Sequence, residues 1–451
     1  MTDRSDASDE TSGTRRYPTG RRALICAAEF PPLGGGGVLR VAKLARYLPT
    51  FGWQLTVVCS DEPLGEAVDA TLLEDIPATV RIVRIRPPFG RIAAQVTAGT
   101  KTRLKRRSRL FGLLIATRSA FRAAVAIPDR WLPWAATLAR RSADDLGRPD
   151  VIVTSGPPHS VHLAGAVLAG RLRVPLVMDL RDEWSLRPLM RSRLPWRRII
   201  DQRAEQWCLH RAAQLVVVSD ASARRYAARY SWLAGRISVI PNGFDPADLP
   251  DPASTGDVRA DVVTLGYAGT FQVGLDVRPL FRALERVLAA ERLNGRRVRF
   301  AMLGAFSPEE ANLAGRMIPG DALKVERFLP HREALARMAQ WDALLVIADD
   351  GESSLAGKVY ETLALRKPIL VVAPEGPATR LVARAGAGIS AAPHDVHGIA
   401  TALHQVLAMT RDAGFSGAPD EAIAPFDRRR QAQTWSELLS RLIDAGRADA
   451  A

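Results

Sequence analysis

The chain is short of cysteine, with three in 451 residues, and of lysine, which supplies only six of its 62 Lys and Arg residues. Cys26, Cys59 and Cys208 lie far apart, with no pair at metal-ligand spacing. That excludes a disulfide scaffold or a zinc module and leads us to expect buried thiols in a reducing, cytoplasmic setting. No run of 18 or more apolar residues occurs, so no segment reads as a membrane-spanning helix. The formal net charge of +14 is therefore almost all arginine, whose planar fork suits phosphates and carboxylates. Nucleic acid, an anionic membrane and a phosphorylated substrate are all admissible partners on charge alone.

What is present is an alternation of apolar runs and helical periods. A length of 451 residues with 47% apolar content suits two domains of roughly 200 residues. Residues 1–20, polar and without an apolar segment, are expected to be a disordered tail. Apolar runs near Arg21 to Ala28, Leu55 to Cys59, Arg81 to Arg86, Asp150 to Ser155, Val174 to Leu180, Gln214 to Val218 and Ile237 to Ile240 read as strands separated by helical stretches. A Pro241-Asn242-Gly243 turn and further prolines then interrupt the pattern. A second series restarts at Val262 to Ala268, followed by Arg299 to Leu303, Lys324 to Phe328, Ala343 to Ile347 and Ile369 to Ala373. Such alternation predicts parallel sheets with crossover helices. The expected division is 21–245, 246–425 and a final helix over 426–451 packing back on the first domain.

Two stretches look suited to phosphate. Gly34 to Gly37 follows the first strand, where glycines let a ligand approach the backbone, although the spacing is neither that of a dinucleotide fold nor of a P-loop. Gly351 to Pro374 reads as loop, helix (Ala356 to Leu365), turn and strand; Ser353, Gly357 and Glu361 fall at i, i+4 and i+8. A diphosphate at that helix start would lie about 8 Å from the Glu361 carboxylate, which could accept from ribose hydroxyls. Gly266, Gly269, Thr270 and Gly304, at strand ends, are expected to clear space for a ligand. His159 and His162 follow the strand ending at Ser155, where open α/β sheets place ligands. Asp179, Arg181, Asp182 and Trp184 are expected to form an internal ion-pair cluster, and Trp131 and Trp134 to be core. The basic amphipathic segment 101–127 either packs on its own domain or makes a peripheral contact with an anionic membrane.

With these residues in view, the chain resembles the retaining family 4 glycosyltransferases of GT-B fold, in a bacterial branch. The motifs EFPPLGGGGVLR, TSGPPHSVHLAG, VMDLRDEW, VVSDAS, VIPNGFD, GYAGTF and GKVYETLALRKPIL occur in the family's order over residues 21–445. The resemblance implies two Rossmann-like parallel-sheet domains facing across a cleft, a nucleoside-diphosphate sugar as co-substrate in place of a cofactor, and transfer with retention. It implies an acceptor that is a glycan, a lipid-linked sugar or a small molecule, and no nucleic acid. By position, Glu361 matches the ribose-binding Glu, Ser354 and Leu355 the diphosphate loop with Lys358 nearby, and Gly35 and Gly36 the loop facing donor phosphate and acceptor. His159 matches the histidine near the transferred sugar; Gly269 and Thr270 match the loop that closes on the diphosphate, with Arg278 the nearby candidate cation. Ser353 stands where the family's first Glu contacts the sugar, which leaves the sugar open. No Asp-x-Asp stands at a strand end to hold a metal, so helix termini and cations would neutralise the leaving group. Two alternatives are an isomerase or hydrolase of sugar nucleotides on the same fold, and a non-catalytic nucleotide-binding partner.

Overall fold

The computed structural model describes residues 20–61, 68–87, 127–186, 195–251, 262–271, 275–295, 297–348 and 357–448. Basic segment 101–127 lies, except for Ile127, outside the described residues, as do residues 1–19.

Two parallel sheets organise the chain. The first contains β1 (Arg21–Cys26), β2 (Trp53–Ser60), β3 (Arg81–Ile85), β4 (Val151–Gly156), β5 (Leu176–Leu180), β6 (Gln214–Val217) and β7 (Ile237–Val239) in the order β3-β2-β1-β4-β5-β6-β7. The second contains β8 (Val262–Ala268), β9 (Arg297–Leu303), β10 (Leu323–Glu326), β11 (Ala343–Ile347), β12 (Ile369–Val372) and β13 (Gly388–Ala391) in the order β10-β9-β8-β11-β12-β13. Every ladder between these strands is parallel. Each order reverses direction once, between β1 and β4 and between β8 and β11, and at such a switch point the flanking loops part to leave a crevice beyond the strands' carboxyl ends.

The pleat explains the near-continuous apolar runs. Leu24 and Cys26 of β1 face one buried layer while Ala23 and Ile25 face the other. Leu370 and Val372 of β12 divide from Ile369 and Val371 in the same way. Both faces of each sheet are covered, so both sets of side chains must be apolar. Trp131 and Trp134 meet edge to face in the first of these layers, with centroids 6.3 Å apart.

The two domains are joined twice, at adjacent points. The Phe244 N–H donates to the Phe426 carbonyl at 2.9 Å, and the Arg428 N–H donates back to the Phe244 carbonyl at 2.9 Å. Gly243 is needed at this crossing, because a Cβ there would overlap the Phe426 carbonyl. The returning chain forms the Arg428–Ala448 helix, which seats Trp435, Leu438, Leu439 and Ile443 in the apolar layer of the first sheet. Trp53 Nε1 donates to Ser436 Oγ at 2.9 Å, which satisfies the one polar atom of a buried indole.

Candidate active site in the interdomain cleft

On the first domain, the loop after β1 turns into the Gly36–Tyr47 helix. Gly35, just before it, has φ +112°, a conformation that residues with a side chain rarely adopt. Gly35 and Gly36 are exposed, and a Cβ at either would touch nothing. Gly37 is different: a Cβ would overlap the guanidinium of Arg181, which reaches under the loop and donates to the Pro157 carbonyl. The same helix buries two cations on its otherwise apolar face. Arg40 forks Asp179, with Nη2 to Oδ1 at 2.8 Å and Nε to Oδ2 at 2.9 Å, and donates to the carbonyls of Ile240 and Pro241. Asp179 also accepts from Ser155 Oγ at 2.8 Å. The expected ion-pair cluster around Asp179 is therefore real, but its principal cation is Arg40, from a helix 139 residues earlier, rather than Arg181.

His159 lies buried at the start of the Ser160–Leu172 helix, its ring stacked on Trp184 at 5.0 Å with an interplanar angle of 3°. His162 packs beside it and joins its Nδ1 to Thr154 Oγ1 at 2.8 Å. Burial first, and then the neighbouring Arg181 charge, holds the His162 pKa down to about 3, so this ring stays neutral. His162 is a part of the β4 floor.

On the second domain, Gly269 ends β8 with φ +151°, and Tyr267 OH pins the loop by donating to the Thr270 carbonyl at 2.9 Å. Lys358, at the start of the Lys358–Ala364 helix, donates from Nζ to the Ala268 carbonyl at 2.8 Å and lies against Gly269. Glu361, one turn on, is within 3.6 Å of His331 Nε2. Lys358, Gly269, exposed Thr270 and Glu361, separated by up to 92 positions in sequence, thus come together at the β8/β11 switch point.

Several expectations need correction. Gly266 clears no space for a ligand; a Cβ there would run into the ring of Trp341, so the glycine serves core packing. Gly304 makes room for the backbone of Gly269 instead, which positions the loop indirectly. Arg278 closes its fork on Asp276, two residues away on the exposed surface, at 2.7 and 2.8 Å. Among the described residues, the cation against the Gly269 loop is Lys358. Ser353, Ser354 and Leu355 lie outside the described residues.

A network that the sequence reading missed closes the back of the cleft. Lys43, buried on the Gly36–Tyr47 helix, has Nζ 2.7 Å from Asp75, 2.9 Å from Asp245 and 2.7 Å from Asp248. Arg332, from the second domain, pairs with Asp75 and lies 3.1 Å from Asp248. Asp69 of the first domain accepts the backbone N–H of His331 at 2.7 Å, capping a helix of the other domain whose own N-cap, Pro330, offers no side-chain acceptor. The available signal was Arg40 and Lys43 falling among Val38, Val41, Ala42, Leu44 and Ala45, two charges inside an apolar stripe. Among the described residues, no group of three His, Cys, Asp or Glu is arranged to hold a metal, and no helix is long and apolar enough to cross a membrane.

Each of the two doubly wound domains thus carries a glycine-bearing loop beside its switch point. Residues 35–243 match the family model of the glycosyl transferase 4-like domain. Among solved structures, the chain is similar to a sucrose-phosphate synthase from Thermosynechococcus elongatus, with TM-score 0.62 and 17% identity, covering 94% of this chain and 100% of that one. A UDP-forming α,α-trehalose-phosphate synthase from Burkholderia vietnamiensis gives TM-score 0.58 and 16% identity, covering 95% of this chain and 99% of that one. The S. aureus MnaA–UDP co-structure gives TM-score 0.51 and 13% identity, covering 92% of this chain and 94% of that one. No curated protein matches the chain in sequence. The chain thus shares the GT-B fold of these solved structures, and residues 35–243 of its first domain are similar to the glycosyl transferase 4-like domain.

Proposed function

We propose that the chain moves a sugar from a nucleoside-diphosphate sugar, bound on the second domain, to an acceptor hydroxyl presented by the first, with retention of anomeric configuration. The observation that carries this reading is the convergence of Lys358, the Gly269 loop and Glu361 at one switch point. Lys358 and the loop after Gly269 would meet the diphosphate, and Glu361 would accept from the ribose hydroxyls. As the bond from the anomeric carbon to the phosphate oxygen breaks, the charge left on the diphosphate is met by a fixed ammonium and loop dipoles, which need no reorganisation. The new bond to the acceptor oxygen forms on the same face, and the hydroxyl proton passes to the departing phosphate oxygen. UDP is the first nucleotide to try, since a UDP-forming synthase and a UDP co-structure are among the similar folds. The exposed Gly35-Gly36 turn and the His159–Trp184 stack face the acceptor side in this reading.

A thermal-shift panel of UDP, GDP, dTDP and ADP sugars tests it. A donor at 100 times its Kd adds about 2.7 kcal/mol of stability, and Glu361→Ala should abolish most of that gain. No shift with any nucleotide, or an undiminished shift in the variant, overturns the assignment.

A further inference from the structure

His331 sits between two carboxylates that belong to different parts of the molecule. Its Nε2 is 3.4 Å from Asp248, in the segment linking the domains, and 3.6 Å from Glu361, the proposed ribose acceptor. The two carboxylates do not need it equally. Asp248 already has Lys43 at 2.7 Å and Arg332 at 3.1 Å, whereas His331 is the only ion pair found for Glu361 among the described residues. At 3.6 Å the imidazole meets one carboxylate oxygen as a charge and leaves the other oxygen, and most of the lone-pair capacity, for a diol.

His331 is itself held from across the cleft. Its backbone N–H is capped by Asp69, a buried residue of the first domain that also accepts from Thr71 N and Oγ1. Its neighbour Arg332 grips Asp75 of the first domain and Asp248 of the linker. The ring therefore keeps its place only while the two domains keep theirs. Along with Asp248 and Glu361, the charged groups around it are Lys43, Arg332, Asp69 and Asp75, all of which belong to this interdomain network.

We propose that His331 is a positioning residue that orients the Glu361 carboxylate for the ribose and makes nucleoside affinity depend on the domain contact holding it. This rests on the reading of Glu361 as the ribose acceptor. It differs from a structural role in a measurable way, because only the nucleoside part of the donor should feel the loss.

The test compares binding of a nucleoside diphosphate, whichever of UDP, GDP, dTDP and ADP the wild type binds most tightly, with binding of inorganic pyrophosphate, by calorimetry. His331→Ala should weaken the nucleoside diphosphate by about 3–10-fold, the range for losing a partly buried charge contact, while leaving pyrophosphate unchanged. His331→Gln, which keeps a polar side chain but no charge, should be no better than His331→Ala, whereas His331→Arg, which keeps a cation, should restore part of the loss. The double variant His331→Ala/Glu361→Gln should bind no worse than Glu361→Gln, since both act through one carboxylate. Equal weakening of both ligands by His331→Ala, no weakening of the nucleoside diphosphate, or multiplying effects in the double variant would overturn the proposal. If Glu361→Gln weakens binding and His331→Ala does not, only the positioning role falls. If no nucleoside diphosphate binds the wild type, the ribose reading of Glu361 falls and this proposal with it.

Discussion

Replacing Lys43 by Met should destabilise the protein more than any other single charge removal in the cleft. The ammonium lies 2.7–2.9 Å from three carboxylates, and all four side chains are at least 92% buried. At an effective dielectric of 20, each contact is worth about 6 kcal/mol of gross attraction. Desolvation and repulsion among the three aspartates offset most of it. What remains is the penalty for leaving buried carboxylates uncompensated, about 3–5 kcal/mol. Arg46, 3.1 Å from Asp75 and 3.3 Å from Asp245, and Arg332 persist in the variant, which favours the lower end. For a domain of this size that corresponds to a drop of about 6–20 °C in the first thermal transition. Differential scanning calorimetry reads it directly, and a drop below about 2 °C would refute the electrostatic account. Adding Asp248→Asn to Lys43→Met should recover stability, because it removes one of the stranded charges. A further loss would mean that the cavity, and not the charge, dominated.

The same network fixes a pH window. Burial raises the Asp248 pKa, but the His331 hydrogen bond and the Lys43 charge outweigh it and hold it well below the usual carboxylate value. Its stabilising effect is thus present above about pH 4, the unfolded value, and is lost as pH falls through the lower folded value. Burial, by contrast, lowers the Lys43 pKa, and Asp245 and Asp248 more than reverse that, leaving it raised. Its contribution is present below about pH 10.4, the unfolded value, and is lost as pH rises through the folded one, so calorimetry across pH should show a plateau falling off at both ends. Gly304→Ala forces a side chain onto the Gly269 backbone at φ +152° and should weaken nucleotide binding with a stability loss of roughly 1–3 kcal/mol; unchanged nucleotide affinity would separate Gly304 from the loop. His159→Ala should spare nucleotide binding and lower turnover, and unchanged turnover would make its stack on Trp184 a packing contact only. Trp435→Ala should cost about 3–5 kcal/mol by emptying the layer between the last helix and the first sheet, measurable by urea unfolding.

Strands buried on both faces were the most legible elements, because runs such as Val151 to Val153 have no polar alternative to offer. The strand Gly388–Ala391 escaped notice: its four small or half-buried residues carry no apolar run. In the candidate site, the placement of Gly269 at a strand end and of Glu361 on a helix was legible from loop and helix grammar, since both depend on local backbone form. Arg40, Lys43, Asp248 and His331 were not, because what makes a buried charge tolerable is a partner, and theirs lie far away in sequence; Lys43 and Asp248 are 205 positions apart. Gly266 was misread for the opposite reason. A small residue at a strand end looks the same whether it makes room for a ligand or for Trp341.

The adjacent crossings at Phe244 and Phe426 make the second domain, in topological terms, an insertion. The chain leaves the first domain at one point and re-enters it at a point one hydrogen bond away, before its last helix completes the first domain's own apolar layer. A join of one or two residues between Gly243 and Arg428 would therefore close the first domain on itself with both of its apolar layers intact. The second domain is a cassette, exchangeable at a seam where the two cut ends already touch.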